Sequence, residues 1–342
     1  MSFQISQQER AAETISAEKL AAIVHAVRTI GYAVVEDIIS QETCNLLADC
    51  ILEDAQRVRG NGKQTRHEML TGQGHLQLGL RRHAPFVKPD LVANPFVECV
   101  VAAVLGKGAW LGFYNGNVNC PGSGYQPLHF DRPYSWKTPE AAARDGQPWP
   151  PHTTTLSCSI ALEDITTANG ATEIYPGSHL EPDVANWTSG FRLEEYPELL
   201  ARRAPARMEI PARSVCFRDP RMWHRGVPNP AEKTRPMIAV TYHAAACKHW
   251  RGIYVGDIEP AVRMELQRDP VLRIMDSGEL GDGRLVFDAD VRDVFEHAPS
   301  RHHVNRYVRF VDQPERVNHF VDAHVVGGAR IIRGAEPAPD EA

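Results

Sequence analysis

The stretch His129-Phe-Asp131 carries the first chemistry that this chain offers. In an extended strand, residues i and i+2 point to the same face. An imidazole and a carboxylate at that spacing can hold one metal ion together. A second imidazole from a neighbouring strand would complete two nitrogens and one oxygen on one side of the ion. The remaining positions would stay open for a co-substrate and oxygen, the arrangement of non-haem Fe(II) oxygenases. The same donors also suit zinc with a bound water. With 15 histidines and 43 acidic residues in 342 positions, His-x-acid pairs also arise by chance, and His179/Glu181 is another. Local context separates the two. Pro176 and Gly177 put His179 on a loop, so Glu181 need not share its face. His129 instead leaves a Gly/Pro-rich turn and enters a short strand.

His224 is the candidate second imidazole. Pro228, Asn229 and Pro230 follow it in a loop, and 236–242 then reads as a strand rich in apolar and β-branched residues. A hairpin turning between Asn229 and Pro230 would bring His224 and Arg235 to the same level on adjacent strands. The planar fork of arginine suits a carboxylate held by two hydrogen bonds. Arg235 is therefore the candidate grip for the far end of a bidentate diacid such as 2-oxoglutarate.

These residues need strands to position them. Trp110 to Asn119 and Thr153 to Leu162 read as two more. Short strands separated by turn signals point to a sandwich or jelly roll. Leu20, Ile23, Val24 and Val27 recur at helical spacing over 17–29, with Ser16 as candidate N-cap. A second helix begins after Ser40, with Leu47, Cys50, Ile51 and Val58 on one stripe. Both stripes are expected to cover the outside of the sheet.

In combination and order, four segments resemble the phytanoyl-CoA dioxygenase-like family within the Fe(II)/2-oxoglutarate oxygenases. They are Gly31-Tyr-Ala-Val-Val, Gln126-Pro-Leu-His129-Phe-Asp131, Asn169-Gly-Ala-Thr172-Glu-Ile-Tyr-Pro-Gly-Ser-His179, and Trp223-His224 followed by Arg235. The resemblance runs from about Ile30 to Tyr242. It implies a mainly β fold with flanking helices around a double-stranded β-helix (jelly-roll, cupin-like) core. It implies Fe(II) on His129, Asp131 and His224, and 2-oxoglutarate on Arg235 with help from Thr172 and Gln126. O2 would be the oxidant, and succinate and CO2 would be released as a small organic substrate is hydroxylated. His179 matches a structural feature. Asp131 stands where related halogenases carry Ala or Gly, which disfavours halogenation. The competing readings are a zinc hydrolase or isomerase on the same jelly roll, and a binding module without activity.

No low-complexity linker divides the chain, so 1–333 reads as one catalytic domain with helical additions and 334–342 as a frayed tail. Pro260 and Pro270 suit the first turns of two short helices, and 283–330 resists assignment. Residues 132–151 and 180–206 are candidate lids; Tyr134, Trp136, Trp149 and Trp187 in them could cover an apolar substrate or pack the loops down. The net charge of −6 argues against a nucleic-acid partner. Arg81-Arg82-His83 reads as a solvated turn, and His243/His249 and His302-His303 as ordinary residues. Seven scattered cysteines without a Cys-x-x-Cys pair fit reduced thiols and a cytoplasmic location. The longest apolar run, Cys99 to Leu105, is far too short to span a membrane. No feature sets the oligomeric state.

Overall fold

A computed structural model describes residues 1–59, 68, 72–79, 86, 88–107, 109–187 and 190–245, together with three short strands, Tyr254–Val255, Ile274–Asp276 and Leu285–Phe287, that pair with one another. The expectations for Pro260, Pro270, Arg81-Arg82-His83, His249, His302-His303 and the 334–342 tail lie outside the described residues. So does the 283–330 region, apart from the strand at 285–287.

Two sheets face each other. The larger is built from β1 (Ser2–Gln4), β2 (Tyr32–Glu36), β3 (His75–Gly79), β4 (Trp110–Asn119), β5 (Thr155–Ala161), β8 (Val215–Arg218) and β10 (Arg235–His243). Its spatial order is β1-β2-β8-β5-β10-β4-β3. The smaller has the order β7-β6-β9, from β6 (Glu173–Ile174), β7 (Ala206–Arg207) and β9 (His224–Arg225). His129 joins the outer edge of β9 through an isolated antiparallel bridge to His224. From β4 onward the chain alternates between the sheets, except for the β6–β7 pair within the smaller one, which makes the core a double-stranded β-helix. The expected strands at 110–119, 153–162 and 236–242 are all present, with ends shifted by no more than a few residues.

Strand alternation sorts the larger sheet into two faces. Leu156, Cys158, Ile160, Phe217, Ile238, Val240 and Tyr242 belong to the main apolar core. On that side lie the helices Ala17–Thr29, Gln41–Arg59 and Pro95–Leu105, which contribute Ile23, Val27, Leu47, Ile51, Val97, Val100 and Val101. The two helical stripes therefore cover the sheet as expected; of that set only Val58 has a side chain outside the described residues. The apolar run at 99–105 forms most of the third helix, whose N-terminus is capped by the Asn94 side chain on the Phe96 and Val97 amides. Ser16 precedes the first helix but makes no side-chain cap; its amide donates instead to Glu9. The opposite face carries His75, Asn115, Asn119, Ser159, Arg218 and Arg235, all buried and all polar. That face looks into the space between the sheets.

The expected hairpin between His224 and Arg235 does not form. Both edges of β10 are taken, by β4 (Arg235↔Asn119 through His243↔Trp110) and by β5 (Met237↔Ala161 through His243↔Thr155). β9 pairs with β6 in the other sheet. The connection between them crosses from one sheet to the other and is stapled to the end of β4. Asn229 Nδ2 donates to Asn119 O at 3.0 Å, and Asn119 Nδ2 donates to Val227 O at 3.0 Å.

His179 serves the scaffold. It is 1 % exposed, and Nε2 lies 3.1 Å from Arg28 O at the end of the first helix. Its ring packs on Gly31, where φ is +93°; an added Cβ would sit 2.8 Å from His179 Nδ1 and 2.9 Å from Met222 Sδ. Gly31→Ala is expected to lower stability by about 1–3 kcal/mol from the backbone conformation alone, with the clash adding to it. Urea unfolding of the two proteins measures this difference; equal midpoints would show that the contact yields freely.

Candidate metal and co-substrate site

His129 and His224 exchange two backbone hydrogen bonds, His129 N to His224 O at 3.0 Å and His224 N to His129 O at 2.8 Å. Their rings consequently face each other with centroids 4.4 Å apart. Asp131 lies just past the bridge, where its amide donates to Pro220 O at 2.8 Å. The expected strand through 129–131 is reduced to that single bridge, yet the two side chains still converge. Asp131 Oδ1 is 3.6 Å from His129 Nε2 and 3.5 Å from His224 Nε2. One donor atom from each of the three residues lies within 4.8 Å of the others. This is a set that could hold a metal ion.

Each imidazole is oriented from behind. His129 Nδ1 lies 2.8 Å from Pro127 O, and His224 Nδ1 lies 3.0 Å from Met222 O. Both contacts require the proton on Nδ1, which leaves the Nε2 lone pair facing Asp131. Burial and the neighbouring Arg218 push His224 well below the usual histidine range, so the ring is held neutral. The Asp131 side chain is 38 % exposed. The Arg218 guanidinium beside it keeps the carboxyl well below its ordinary value. Two neutral nitrogens and one carboxylate are what a divalent transition metal needs.

Arg235 opens β10 on the inner row Arg235–Asn119–His75. It is 5 % exposed. Nη2 donates to Gly170 O at 3.1 Å, while Nε has no partner among the described residues. Burial depresses its pKa to about 10, with Glu163 opposing the shift. Further along the same inner face, Asn115 is fully buried with both its amide nitrogen and its oxygen unpaired, and Asn117 Oδ1 is unpaired as well. Buried polar atoms without partners are rare because each loses its hydration without return. A cluster of them on one inner sheet face fits a bound polar ligand.

The other expected residues are placed as follows. Gln126 clamps the turn after β9: its Oε1 accepts from Gly226 N at 2.8 Å and its backbone N–H donates to Gly226 O at 2.9 Å. Thr172 is half-buried and shares a strand face with Ile174, which points inward; its carbonyl accepts from Met208 N. The four lid aromatics do not gather over the triad. Leu128, Phe130 and Trp223 alternate with the three candidate ligands and so point to the other side of the smaller sheet. Tyr134, Trp149 and Trp187 join them there in one apolar cluster. Tyr134 is 2 % exposed, and its hydroxyl donates to His179 O at 2.7 Å. Trp136 donates to Asp145 within its own loop at 2.6 Å. These residues pack the loops down.

Three neighbours of the site went unforeseen. Arg218, at the end of β8, donates through Nη2 to Asp131 Oδ2 at 2.6 Å. Phe191 is 51 % exposed and stacks on His129 at 5.0 Å with an interplanar angle of 11°. Asn115 announces itself only once strand register shows its inward face.

The family described as Phytanoyl-CoA dioxygenase (PhyH) matches residues 27–237 of this chain. Among solved structures, EvdMO1 is 20 % identical with a TM-score of 0.51 over 67 % of this chain and 50 % of its own. AviO1 from Streptomyces viridochromogenes Tue57 is 19 % identical, with a TM-score of 0.48 over 68 % of this chain and 98 % of its own. The epimerase SnoN, solved with Fe3+, alpha ketoglutarate and nogalamycin RO, is 16 % identical, with a TM-score of 0.48 over 67 % and 85 %. At such identities the likeness is one of fold.

The lid 132–151 is tied to the site through Arg221. Its guanidinium pairs with Asp219, donates to Pro151 O at 2.8 Å and lies 4.8 Å from the Tyr134 ring. The Asp219 side chain is only 2 % exposed. Arg221→Met strands that charge and is expected to cost about 3–5 kcal/mol. Urea denaturation and the rate of proteolytic nicking within 132–151 report the loss; an unchanged midpoint and nicking rate would mean that other contacts hold the lid.

Proposed function

Since the chain belongs to the phytanoyl-CoA dioxygenase family, with a match over more than half its length, we propose that it is a non-haem Fe(II)- and 2-oxoglutarate-dependent dioxygenase. In this reading it hydroxylates a small organic substrate, a natural-product or catabolic intermediate. The observation that carries the proposal is the pairing of two features on the inner, polar side of the larger sheet. At one end His129, Asp131 and His224 converge. Further in, a fully buried guanidinium, Arg235, has a nitrogen with no partner. An uncompensated buried cation is costly unless an anion joins it. A zinc hydrolase has no use for that cation, whereas a diacid chelating the metal at one end would meet it with its far carboxylate.

Each residue then has a defined task. His129 and His224 present Nε2, fixed by their Nδ1–H bonds to Pro127 O and Met222 O. Asp131 presents Oδ1. Arg235 holds the distal carboxylate, and Asn115, with its unpaired amide, borders the path between. Thr172 is assigned to the same wall. Gln126 supports it by holding the Gly226 turn. His129, Asp131 and His224 would hold Fe(II), which when bound would supply oxidising chemistry coupled to decarboxylation of 2-oxoglutarate to succinate and CO2. Phe191, exposed beside His129, offers an apolar face to a substrate at the mouth. No helix among the described residues is long and apolar enough to cross a membrane, consistent with a small-molecule substrate met in water.

Fe(II) and 2-oxoglutarate added anaerobically to metal-free protein should give a visible charge-transfer band, and air should then release succinate. Absence of both, with hydrolysis supported by zinc, would favour the hydrolase. Asp131→Ala is expected to abolish the band and the succinate. Arg235→Leu removes the partner of a buried carboxylate, which costs about 3–5 kcal/mol. By the rule of about 1.4 kcal/mol per tenfold, 2-oxoglutarate should bind roughly 10²–10³-fold more weakly. A near-normal dissociation constant in that variant would remove Arg235 from the co-substrate site.

A further inference from the structure

Arg218 ends β8 on the inner row that runs through Ser157 of β5 and Tyr32 of β2. Its side chain is 8 % exposed. Nη2 donates to Asp131 Oδ2 at 2.6 Å, and Nη1 lies 3.2 Å from His224 Nδ1. The carboxylate oxygen that faces both imidazoles is the other one, Oδ1. The guanidinium and the three-donor site thus divide one carboxylate between them. We propose that Arg218 is a positioning residue for the metal: it occupies the outer oxygen of Asp131, so that the carboxylate offers one oxygen, and not two, to the ion. This rests on the triad being the metal site.

A free aspartate turns easily about its last torsion, which is broad and shallow. It could then chelate an ion through both oxygens. A second oxygen would take a position that the bidentate 2-oxo acid or O2 needs. A charge-assisted hydrogen bond as short as this one is strong enough to prevent the turn, and arginine never loses its charge. His224 does not compete for the guanidinium. With Nε2 turned to the metal, Nδ1 carries a proton and donates to Met222 O, so Nη1 packs beside that ring edge while Nη2 makes the bond. The same strand end therefore steadies one ligand and flanks another.

Charge and position make opposite predictions. A cation beside the site repels a divalent ion. Were that all, its removal would tighten metal binding. If Arg218 positions Asp131, its removal weakens binding and changes the coordination geometry. Titration of metal-free full-length protein with Co(II), followed by visible absorption with and without 2-oxoglutarate, separates the cases without any turnover. Arg218→Met is expected to bind Co(II) on the order of 10–100-fold more weakly, with an altered band shape and a smaller spectral response to 2-oxoglutarate. Arg218→Lys, which can still donate once to Oδ2, should recover most of the affinity. Should Arg218→Met lack a native circular dichroism spectrum, Arg218→Gln is read by the same criterion. Wild-type affinity and band shape in the folded variant, or tighter binding, would overturn the assignment. A wild-type protein that takes up no Co(II) would instead refute the triad as a metal site.

Discussion

The reciprocal backbone hydrogen bonds between His129 and His224 set everything else in the site. They form the single β-bridge of the 126–131 segment with β9 among the described residues, and Gln126 N to Gly226 O at 2.9 Å supports it just beyond the strand. They fix the ring-to-ring distance, and through it the space left for an ion. The short turn 219–223 reinforces them from one side. Pro220 O receives the Asp131 amide, Met222 O receives Nδ1 of His224, and Ser178 Oγ accepts from Trp223 N at 2.8 Å. The turn is anchored in its own right, by the buried Asp219–Arg221 pair and by Asp219 N to Gly31 O at 2.8 Å. A metal site needs its donors held within a fraction of an ångström. Here backbone bonds do most of that holding, which is more rigid than reliance on side chains alone.

The charges in the cavity are arranged unevenly, and the unevenness has a direction. At the triad, Arg218 balances Asp131 before any ion arrives. On the same inner face, Arg235 makes no ion pair among the described residues and has only the weaker influence of Glu163, and Asn115 and Asn117 leave polar atoms unpaired there. Polar groups left dry on an inner sheet face destabilise the fold. The opposite face, lined with Val, Ile and Leu against three helices, offsets that cost. Stability and chemistry are thus assigned to the two faces of the same strands.

How much of this was legible beforehand follows the range of the interactions involved. The period-two pattern of 155–161 and 235–243 and the helical stripes at 17–29 and 41–59 are local, and they were readable. His129 and Asp131 were readable because i and i+2 share a face even where only one bridge forms. Arg235 was found by its right distance from His224, although the hairpin invoked for it is absent. A turn between two prolines looks the same whether the following strand folds back onto its predecessor or crosses to the other sheet. What decides is that β4 and β5 already occupy both edges of β10, a fact that spans most of the chain. Arg218 and Asn115 were invisible for the same reason, since their inward direction depends on register with distant strands. For the aromatics of the candidate lids two roles stayed open, because composition shows that a loop is apolar and not which side of the sheet it covers.

That last point bears on how the lid and the ligands are coupled. Alternation puts Leu128 and Phe130 opposite His129 and Asp131, so the segment that supplies two donors is also the floor of the apolar cluster under the loops. Gly190 closes on this floor: a Cβ there would fall 2.3 Å from Phe130 N and 2.7 Å from its ring. Only glycine lets the 190–203 segment approach so near. The approach in turn carries Phe191 around the edge onto the face of His129. Displacing the loop outward would therefore lift an aromatic ring from one of the candidate ligands and strip cover from Phe130 in one movement. The reverse also holds, since a substrate seated against Phe191 would press on the ring of His129 and not on solvent. Packing behind the sheet and the ring that covers His129 in front of it are two sides of a single short stretch of chain.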